Sequence, residues 1–405
     1  SNGCGWVWMG GPLEGIKRRA VGMRIAIFEN IMTPGGHEVD FDRILVDELR
    51  ALGHEVMLYV PEGFQFGMDY HVPAYYLPGA PVLYTNARGI RKLFLSVQRE
   101  RRRFGWYRVL YEAAQAGAFD ALVVPTSTYR YLRALRQSVL RRSPVPVLFI
   151  QHGINPSEAP KFFSAADALS KHPNIRPVVL TFGDTIFGER RPNLHMIAPP
   201  AFIPRDIETA PHPPVKTDEP LTIGFFGQFR REKRLEDLLR VYLAGNYTRP
   251  VRLLVQGSTM HAEDAAEFER IIAMYEGRGI SFLHRGLIGA EWQRAISEVD
   301  ALLLPYSAPR YRYHWGAMLF TAIGFQKPVL TSDDMYPEVF AEYPIGETFA
   351  SGDMTALGSA LETFINEYDV RAPHWHKALA DAARAYAPPR FAMHIVEIIG
   401  KHSIS

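Results

Sequence analysis

Cysteine is nearly absent. Cys4 is the only one in 405 residues, so no internal disulfide can form and a reducing, cytoplasmic compartment is the natural expectation. Long apolar runs are missing too. No stretch reaches eighteen residues, so nothing is expected to span a membrane. Nor does one sign of charge dominate: 45 Lys and Arg against 43 Asp and Glu leave a net charge of +2, which argues against a protein that coats nucleic acid by bulk charge. His and Cys do not cluster at metal-ligand spacing, so no metal is expected. What is present is an ordinary composition, 47% hydrophobic and 22% charged, in a chain too long for one core. Two domains follow as the first expectation.

Ser1 is not an initiator, which points to a tag or to processing. Residues 1–22 are Gly-rich, lack the ordered regions of a signal peptide, and are expected to form a disordered leader. From Met23 the pattern is regular. Met23 to Phe28 reads as a buried strand, and Val39 to Leu52 as a helix with Phe41, Ile44, Leu45, Leu49 and Leu52 on one face. Gly53 stops that helix, and His54 to Val60 is a second strand, completing a βαβ unit. Between strand and helix, Gly35 and Gly36 let backbone approach a ligand closely. Residues 63–87 read as an irregular, aromatic-rich loop. The basic segment 88–114 interleaves Arg99, Arg101, Arg102, Arg103 and Arg108 with Leu93, Phe94, Val97 and Trp106. It reads either as a solvated helix packed on the core or as a peripheral contact with an anionic membrane. Asp120 to Pro125 and Pro146 to Ile150 are further strands, with a basic helix through Arg142 between them. His152 stands just past the second of these, where α/β sheets place working residues. Pro177 to Thr181 and Leu194 to Ile197 close this half, with Gly183-Asp184 opening a helix between them.

Residues 198–220 carry seven prolines and no apolar periodicity, which marks a linker. Leu221 restarts the strand pattern. The loop after it, Gly227 to Arg234, carries Arg230, Arg231, Lys233 and Arg234 at a strand-to-helix turn, which suits a diphosphate. Val251 to Ser258 is a strand with a Gly257 exit, and Ile280 to Leu283 another. The stretch from Asp300 to Asp333 is the most informative. Ala301 to Leu304 is a buried strand stopped by Pro305. A polar, aromatic loop follows with Arg310, Tyr313 and His314, and Gly316 leads into an apolar helix, Ala317 to Gly324. Strand, loop, buried helix and strand again make a parallel crossover, and the helix start offers unpaired N–H groups to an anion. Asp353 is placed to cap a helix running from Met354 to Tyr368. Residues 372–399 read as helical with a break at Pro388-Pro389.

These pieces resemble the GT-B glycosyltransferases, in particular the large retaining class typified by sucrose and mannosyl transferases. Pro305, Gly316, Ala322 and Pro328-Val329 fit that class's donor motif, while its two glutamates fall on Tyr313 and Thr321. Gly227 and Lys233 fit its Gly-Arg-Leu, three residues, Lys-Gly loop, with Arg234 where the class has Gly. The resemblance implies two Rossmann-like domains facing a cleft. Residues 23–204 would form the acceptor domain and 221–387 the donor domain, with a last helix, 388–405, packing back on the first. It implies transfer of a hexose from a nucleoside diphosphate sugar to a saccharide or lipid-linked acceptor, as in surface polysaccharide or glycan synthesis, with the nucleotide sugar as co-substrate and no other cofactor. It also implies donor contacts from Gly35, Gly36, Gly227, Arg230, Gly257, Leu287, Tyr313, His314, Gly316, Ala317 and Thr321. Catalytic contacts would come from His152, Lys233 and Arg231, with Arg230 and Arg231 as alternatives for one role. Glu38, Asp40 and Asp184 stand open as base if the reaction inverts. Two other readings stay open: a nucleotide-sugar epimerase, and a binding protein of the same fold that has lost catalysis.

Overall fold

The computed structural model describes residues 22–32, 37–82, 89–182, 191–205, 207, 208 and 218–401, with residues 89–93 described by their backbone alone. Gly35, Gly36, Asp184, residues 1–21 and the linker prolines Pro211, Pro213 and Pro214 lie outside the described residues.

The first half runs β1 (Arg24–Phe28), α1 (His37–Ala51), β2 (Glu55–Pro61), β3 (Ala74–Leu77), α2 (Gly89–Gln115), β4 (Ala121–Val124), α3 (Tyr129–Leu135), β5 (Val147–Gln151), α4 (Ala159–Leu169), β6 (Ile175–Leu180) and β7 (His195–Ile197). Its seven strands form one parallel sheet in the order β3-β2-β1-β4-β5-β6-β7. The second half runs β8 (Leu221–Phe225), α5 (Leu235–Ala244), β9 (Val251–Gly257), α6 (Ala262–Tyr275), β10 (Ile280–His284), α7 (Gly289–Ser297), β11 (Ala301–Leu304), α8 (Ala317–Gly324), β12 (Val329–Ser332), α9 (Pro337–Glu342), β13 (Gly346–Phe349), α10 (Met354–Asn366), α11 (Tyr368–Ala385) and α12 (Pro388–Gly400). Its six strands form a second parallel sheet, β10-β9-β8-β11-β12-β13.

Strands buried on both faces explain the unbroken apolar runs. In β1, Ile25 and Ile27 join a core shared with α1, while Ala26 and Phe28 join a second cluster under α2 and α3. The first of these clusters continues through Ala201 and Phe202 into the second sheet, so apolar packing is contiguous across the two halves. Each sheet also reverses strand order at one point, between β1 and β4 in the first and between β8 and β11 in the second. Loops leaving the carboxyl ends at such a point splay apart and leave a crevice.

Two features tie the halves together. Gly324 of α8 touches the Phe202 carbonyl so closely that a Cβ there would overlap it, and Phe202 N–H donates to Phe320 O at 3.2 Å. The start of the proline-rich segment is therefore a strap pinned to α8, and Arg205 fastens its far side to Asp47 (2.6 Å) and Glu48 of α1. The second feature is α12. Phe391 packs on Phe41 of α1, ring centroids 5.5 Å apart. Arg176 of β6 donates to the last carbonyls of α12, reaching Ile399 O at 2.8 Å and also Ile398 O, which satisfies a helix C-terminus with a cation.

Several elements differ from the sequence expectation. The loop assigned to 63–87 contains the edge strand β3. The helix expected to continue to Arg142 ends at Leu135, with a separate 3-10 turn at Val139–Arg142. The helices α4 and α9 both begin at a proline in the first turn, a position that favours a helix start but reads as a break in sequence. Asp353 caps α10 as expected, accepting from Ala356 N–H at 2.9 Å.

Candidate active site between the two sheets

Both crevices open toward each other. A cavity of about 210 Å³ lies there, lined from the first half by His37 and Glu38 after β1, residues 126–129 after β4, and residues 151–155 and Glu158 after β5. Arg310 and His314 reach it from the second half.

The walls meet through backbone. Gly153 and His314 form an antiparallel bridge, Ile154 N–H donates to Tyr313 O at 2.9 Å, and Trp315 N–H donates to His152 O. Gly153 sits at φ +128°, and a Cβ there would overlap His314 Cα and Tyr313 O. Only glycine permits both that conformation and that approach. Trp315 then fills the junction, stacked on Phe202 at 5.1 Å and edge-on to His152 at 5.0 Å.

His152 is buried against Phe41, Trp315 and His37. Its Nε2 lies 2.9 Å from Pro125 O, which can only accept, so Nε2 carries the proton. Its Nδ1 then accepts from His37 Nε2–H at 3.1 Å. Burial, followed by the charges of His37 and His314, holds His152 well below the usual imidazole range. Both ring nitrogens are thus engaged. His152, read from sequence as catalytic, is hydrogen-bonded to His37, whose Nδ1 lies 3.9 Å from the Glu38 carboxylate.

Lys233 is buried with its Nζ 5.0 Å from the centre of the Tyr306 ring, and a Cβ on Gly227 would lie 3.0 Å from it. Among the described residues Lys233 makes no ion pair. Burial first, then Arg230 and Arg310, push it down to about 7. Lys327 is a useful contrast. It too is buried and pushed down to about 7 by burial, yet its Nζ donates to Ser297 O (2.9 Å) and Val299 O (2.6 Å) at the end of α7, a structural role. The loops after β8 and β11 are held together by Glu232, whose carbonyl accepts from Ser307 N–H at 2.9 Å and whose carboxylate takes Arg310 and the Tyr311 hydroxyl. His314, pushed down to about 4 by burial and then by Arg310, stands neutral beside this cationic group.

The other residues singled out in sequence divide. Gly227 adopts φ +113°, with its N–H taken by Gln256 Oε1 at 3.0 Å. Arg230 is exposed near Gln228, while Arg231 pairs with Asp264 (3.3 Å) and Glu267 of α6. Of the two alternatives, then, Arg230 is the one beside Lys233; Arg231 is turned away because α6 presents two carboxylates to it. Gly257 packs under Phe268, where a Cβ would come within 2.6 Å of the ring. Thr321 is buried and donates back to Ala317 O of its own helix at 2.9 Å, so its hydroxyl is not turned to a ligand. Tyr313 contributes backbone to the bridge and lies under Arg312, 5.2 Å from ring centre to guanidinium. Leu287 is buried in the loop between β10 and α7. Gly316 caps α8 without a side-chain bond and packs on Met335; Ala317 begins the helix, partly exposed. Gln256, which also donates to Arg285 O at 2.6 Å, went unread in sequence, as did the roles of Arg310 and His37. The one Asp-x-Asp triple, Asp40-Phe41-Asp42, also went unread. It lies within α1, where Asp42 turns inward toward Glu29 and Asp40 pairs with Arg43 at 3.1 Å.

No family model matches the chain, and no curated protein matches it in sequence. Solved structures do. HepE from Anabaena, crystallised with UDP and glucose, superposes with a TM-score of 0.65 at 15% identity, covering 93% of this chain and 98% of that one. The fold is GT-B. Sucrose-phosphate synthase from Thermosynechococcus elongatus gives a TM-score of 0.65 at 15% identity over 93% of this chain and 98% of its own. A glycosyltransferase from Rickettsia africae gives 0.65 at 12% identity over 94% and 100%. The cavity above occupies the cleft of this GT-B architecture, between its two sheets.

Proposed function

We propose that the chain moves a hexose from a nucleoside diphosphate sugar to a saccharide or lipid-linked acceptor. The observation that carries this reading is Lys233: a buried ammonium without an ion partner among the described residues, set over a left-handed glycine and beside Arg230 and Arg310. Burying a cation is costly unless an anion completes the site. In this reading the start of α8, after Gly316, supplies further backbone donors. HepE, similar in fold, is solved with UDP-glucose.

In this reading the leaving diphosphate lies against Lys233, Arg230 and Arg310, which stabilise the negative charge that develops as the glycosidic bond breaks. Neutralisation by side chains makes a metal unnecessary, and activity is expected to survive EDTA. The acceptor enters from the first half. His37 Nδ1, the basic nitrogen on that wall, is placed to take the acceptor proton if the reaction inverts, and Glu38 would then steady the imidazolium. If configuration is retained, the donor phosphate takes the proton and His37 orients the acceptor. No helix among the described residues is long and apolar enough to cross a membrane. A lipid-linked acceptor would be met at the membrane surface through α2, which exposes Phe94 and Val97.

The test is a thermal-shift screen with uridine, guanosine and thymidine diphosphates, followed by product analysis with the matching sugar donor. One diphosphate should stabilise the fold by about 2.7 kcal/mol at a hundredfold excess over its Kd. Release of free diphosphate that depends on added acceptor supports transfer. An isomerised donor supports an epimerase, and tight binding without turnover supports a binding protein.

A further inference from the structure

Tyr129 borders the cavity. That residue lines it on one side and, on the other, a groove of about 370 Å³ between α3 and α4. Arg133, Arg136, Lys161 and Ser164 wall the groove. Tyr129 is itself nearly buried, and three cations surround its ring: Arg130 at 5.0 Å, Lys161 at 5.6 Å and Arg133 at 5.8 Å from the centroid. Among the described residues two carboxylates stand close by: Glu158, which precedes α4 and lines the cavity, and Glu100, 3.6 Å from Arg133 and already paired with Arg103 at 2.8 Å. Among the described residues Arg130, Arg136 and Lys161 make no ion pair. Lys161 also stands in the first turn of α4, where the dipole disfavours a cation, and the N-cap residue Glu158 makes no side-chain cap bond there. Like charges gathered around one ring, one of them against a helix dipole, gain from an anion placed among them.

We infer that this groove is an anion subsite for the acceptor: the acceptor carries a phosphate-type group, held by Arg133, Arg136 and Lys161, and its sugar extends past Tyr129 into the cavity. Calling the ligand the acceptor rests on the transferase reading; the anion site does not. The groove belongs to the first half and Lys233 to the second, so the acceptor's charge and the donor's diphosphate occupy separate places. Arg133, Arg136 and Lys161 are exposed along a groove that shares Tyr129 with the cavity, and a concave surface favours a small anion over a flat membrane face.

The test is calorimetric titration of inorganic pyrophosphate into the full chain held saturated with UDP, so that the Lys233 site is filled. Pyrophosphate should bind the wild type, and the Arg133→Ala/Arg136→Ala variant should bind it at least about tenfold more weakly, since charge-assisted bonds are lost, with UDP affinity unchanged. Lys161→Gln, on a different helix, should also weaken it, which guards against a local distortion of α3. No pyrophosphate binding to the wild type, or binding indifferent to all three substitutions, overturns the subsite. If UDP fails to bind but pyrophosphate binding still depends on Arg133 and Arg136, the anion site stands and the donor reading falls. In a second arm, vesicles containing phosphatidylglycerol should bind wild type and double variant equally. Loss of vesicle binding with pyrophosphate affinity intact would assign these cations to a membrane surface and overturn the proposal.

Discussion

Lys233 and Lys327 are both buried lysines, each pushed down to about 7, and their partners separate them. Lys327 spends its protons on two carbonyls; Lys233 faces other cations. An unsatisfied site of this kind is held at a cost to stability. A lysine shifted from 10.5 to about 7 loses on the order of 4 kcal/mol at neutral pH. The sign follows from linkage. Between about 7 and 10.5 the unfolded chain binds the proton and the folded chain does not, so this part of the stability rises with pH and is lost as pH falls. Lys233→Met should therefore raise the melting temperature of the ligand-free protein at pH 7, flatten that pH dependence relative to wild type, and abolish stabilisation by the nucleoside diphosphate. A variant that melts lower yet keeps the nucleotide shift would remove Lys233 from the site. Anion binding favours the protonated lysine, so in the wild type nucleotide affinity should fall as pH rises above about 7, by up to roughly tenfold per unit. Titration calorimetry in buffers of different ionisation heat would show the matching proton uptake. The next residue gives a second test. Arg234 adopts φ +58°, a left-handed conformation at the place where the resembled class has glycine, and it pairs with Asp237 at 2.8 Å. Arg234→Gly relieves the strain while Arg234→Ala keeps it, so the alanine variant should be the less stable of the two by about 1 kcal/mol in denaturant unfolding.

The decisive element is the short antiparallel pairing of residues 152–154 with 313–315. Gly153→Ala introduces a Cβ into backbone and forces a left-handed alanine, so a loss of about 2 kcal/mol or more and a strong fall in transfer are expected. Diphosphate binding should persist, because Gly227, Lys233 and the start of α8 all belong to the second half. Equal loss of binding and transfer would show that the donor site needs the pairing as well. On the other side of the cleft, α2 buries Trp106 and Tyr107 fully but exposes Phe94 and Val97 nearer its start. Phe94→Ser/Val97→Ser should weaken binding to anionic vesicles while leaving the melting temperature near wild type. The end that carries Trp106 and Tyr107 packs on the core, as one reading of the basic segment expects, and the vesicle measurement tests the other. What could be read in sequence follows the same physics. Buried strands and α8 were legible because apolar runs bounded by Gly and Pro leave few alternatives. The edge strand β3 was not, because its side chains are mostly exposed and its sequence lies among turn residues. Lys233 and Gly227 stood out as a local pattern. The turn of Arg231 toward α6, the back-bonding of Thr321 and the pairing of His37 with His152 depend on partners 4 to 115 residues away, which spacing does not encode.

At the scale of the whole molecule, two parallel sheets each reverse strand order, and the crevices left at those two points face one another across a strap, a backbone pairing and a returning helix. Functional groups fall at the carboxyl ends of the strands beside these points because that is where the loops diverge. In the proposed reading the division of charge follows the division of the fold: cations of the second half take a donor's diphosphate, and those of α3 and α4 an acceptor's anion. The most direct measurement is a crystal structure with the nucleoside diphosphate that stabilises the fold best. The expected result is a phosphate oxygen within hydrogen-bond distance of Lys233 Nζ and of the backbone at the start of α8. Phosphate density elsewhere, with Lys233 still buried and unpaired, would contradict it.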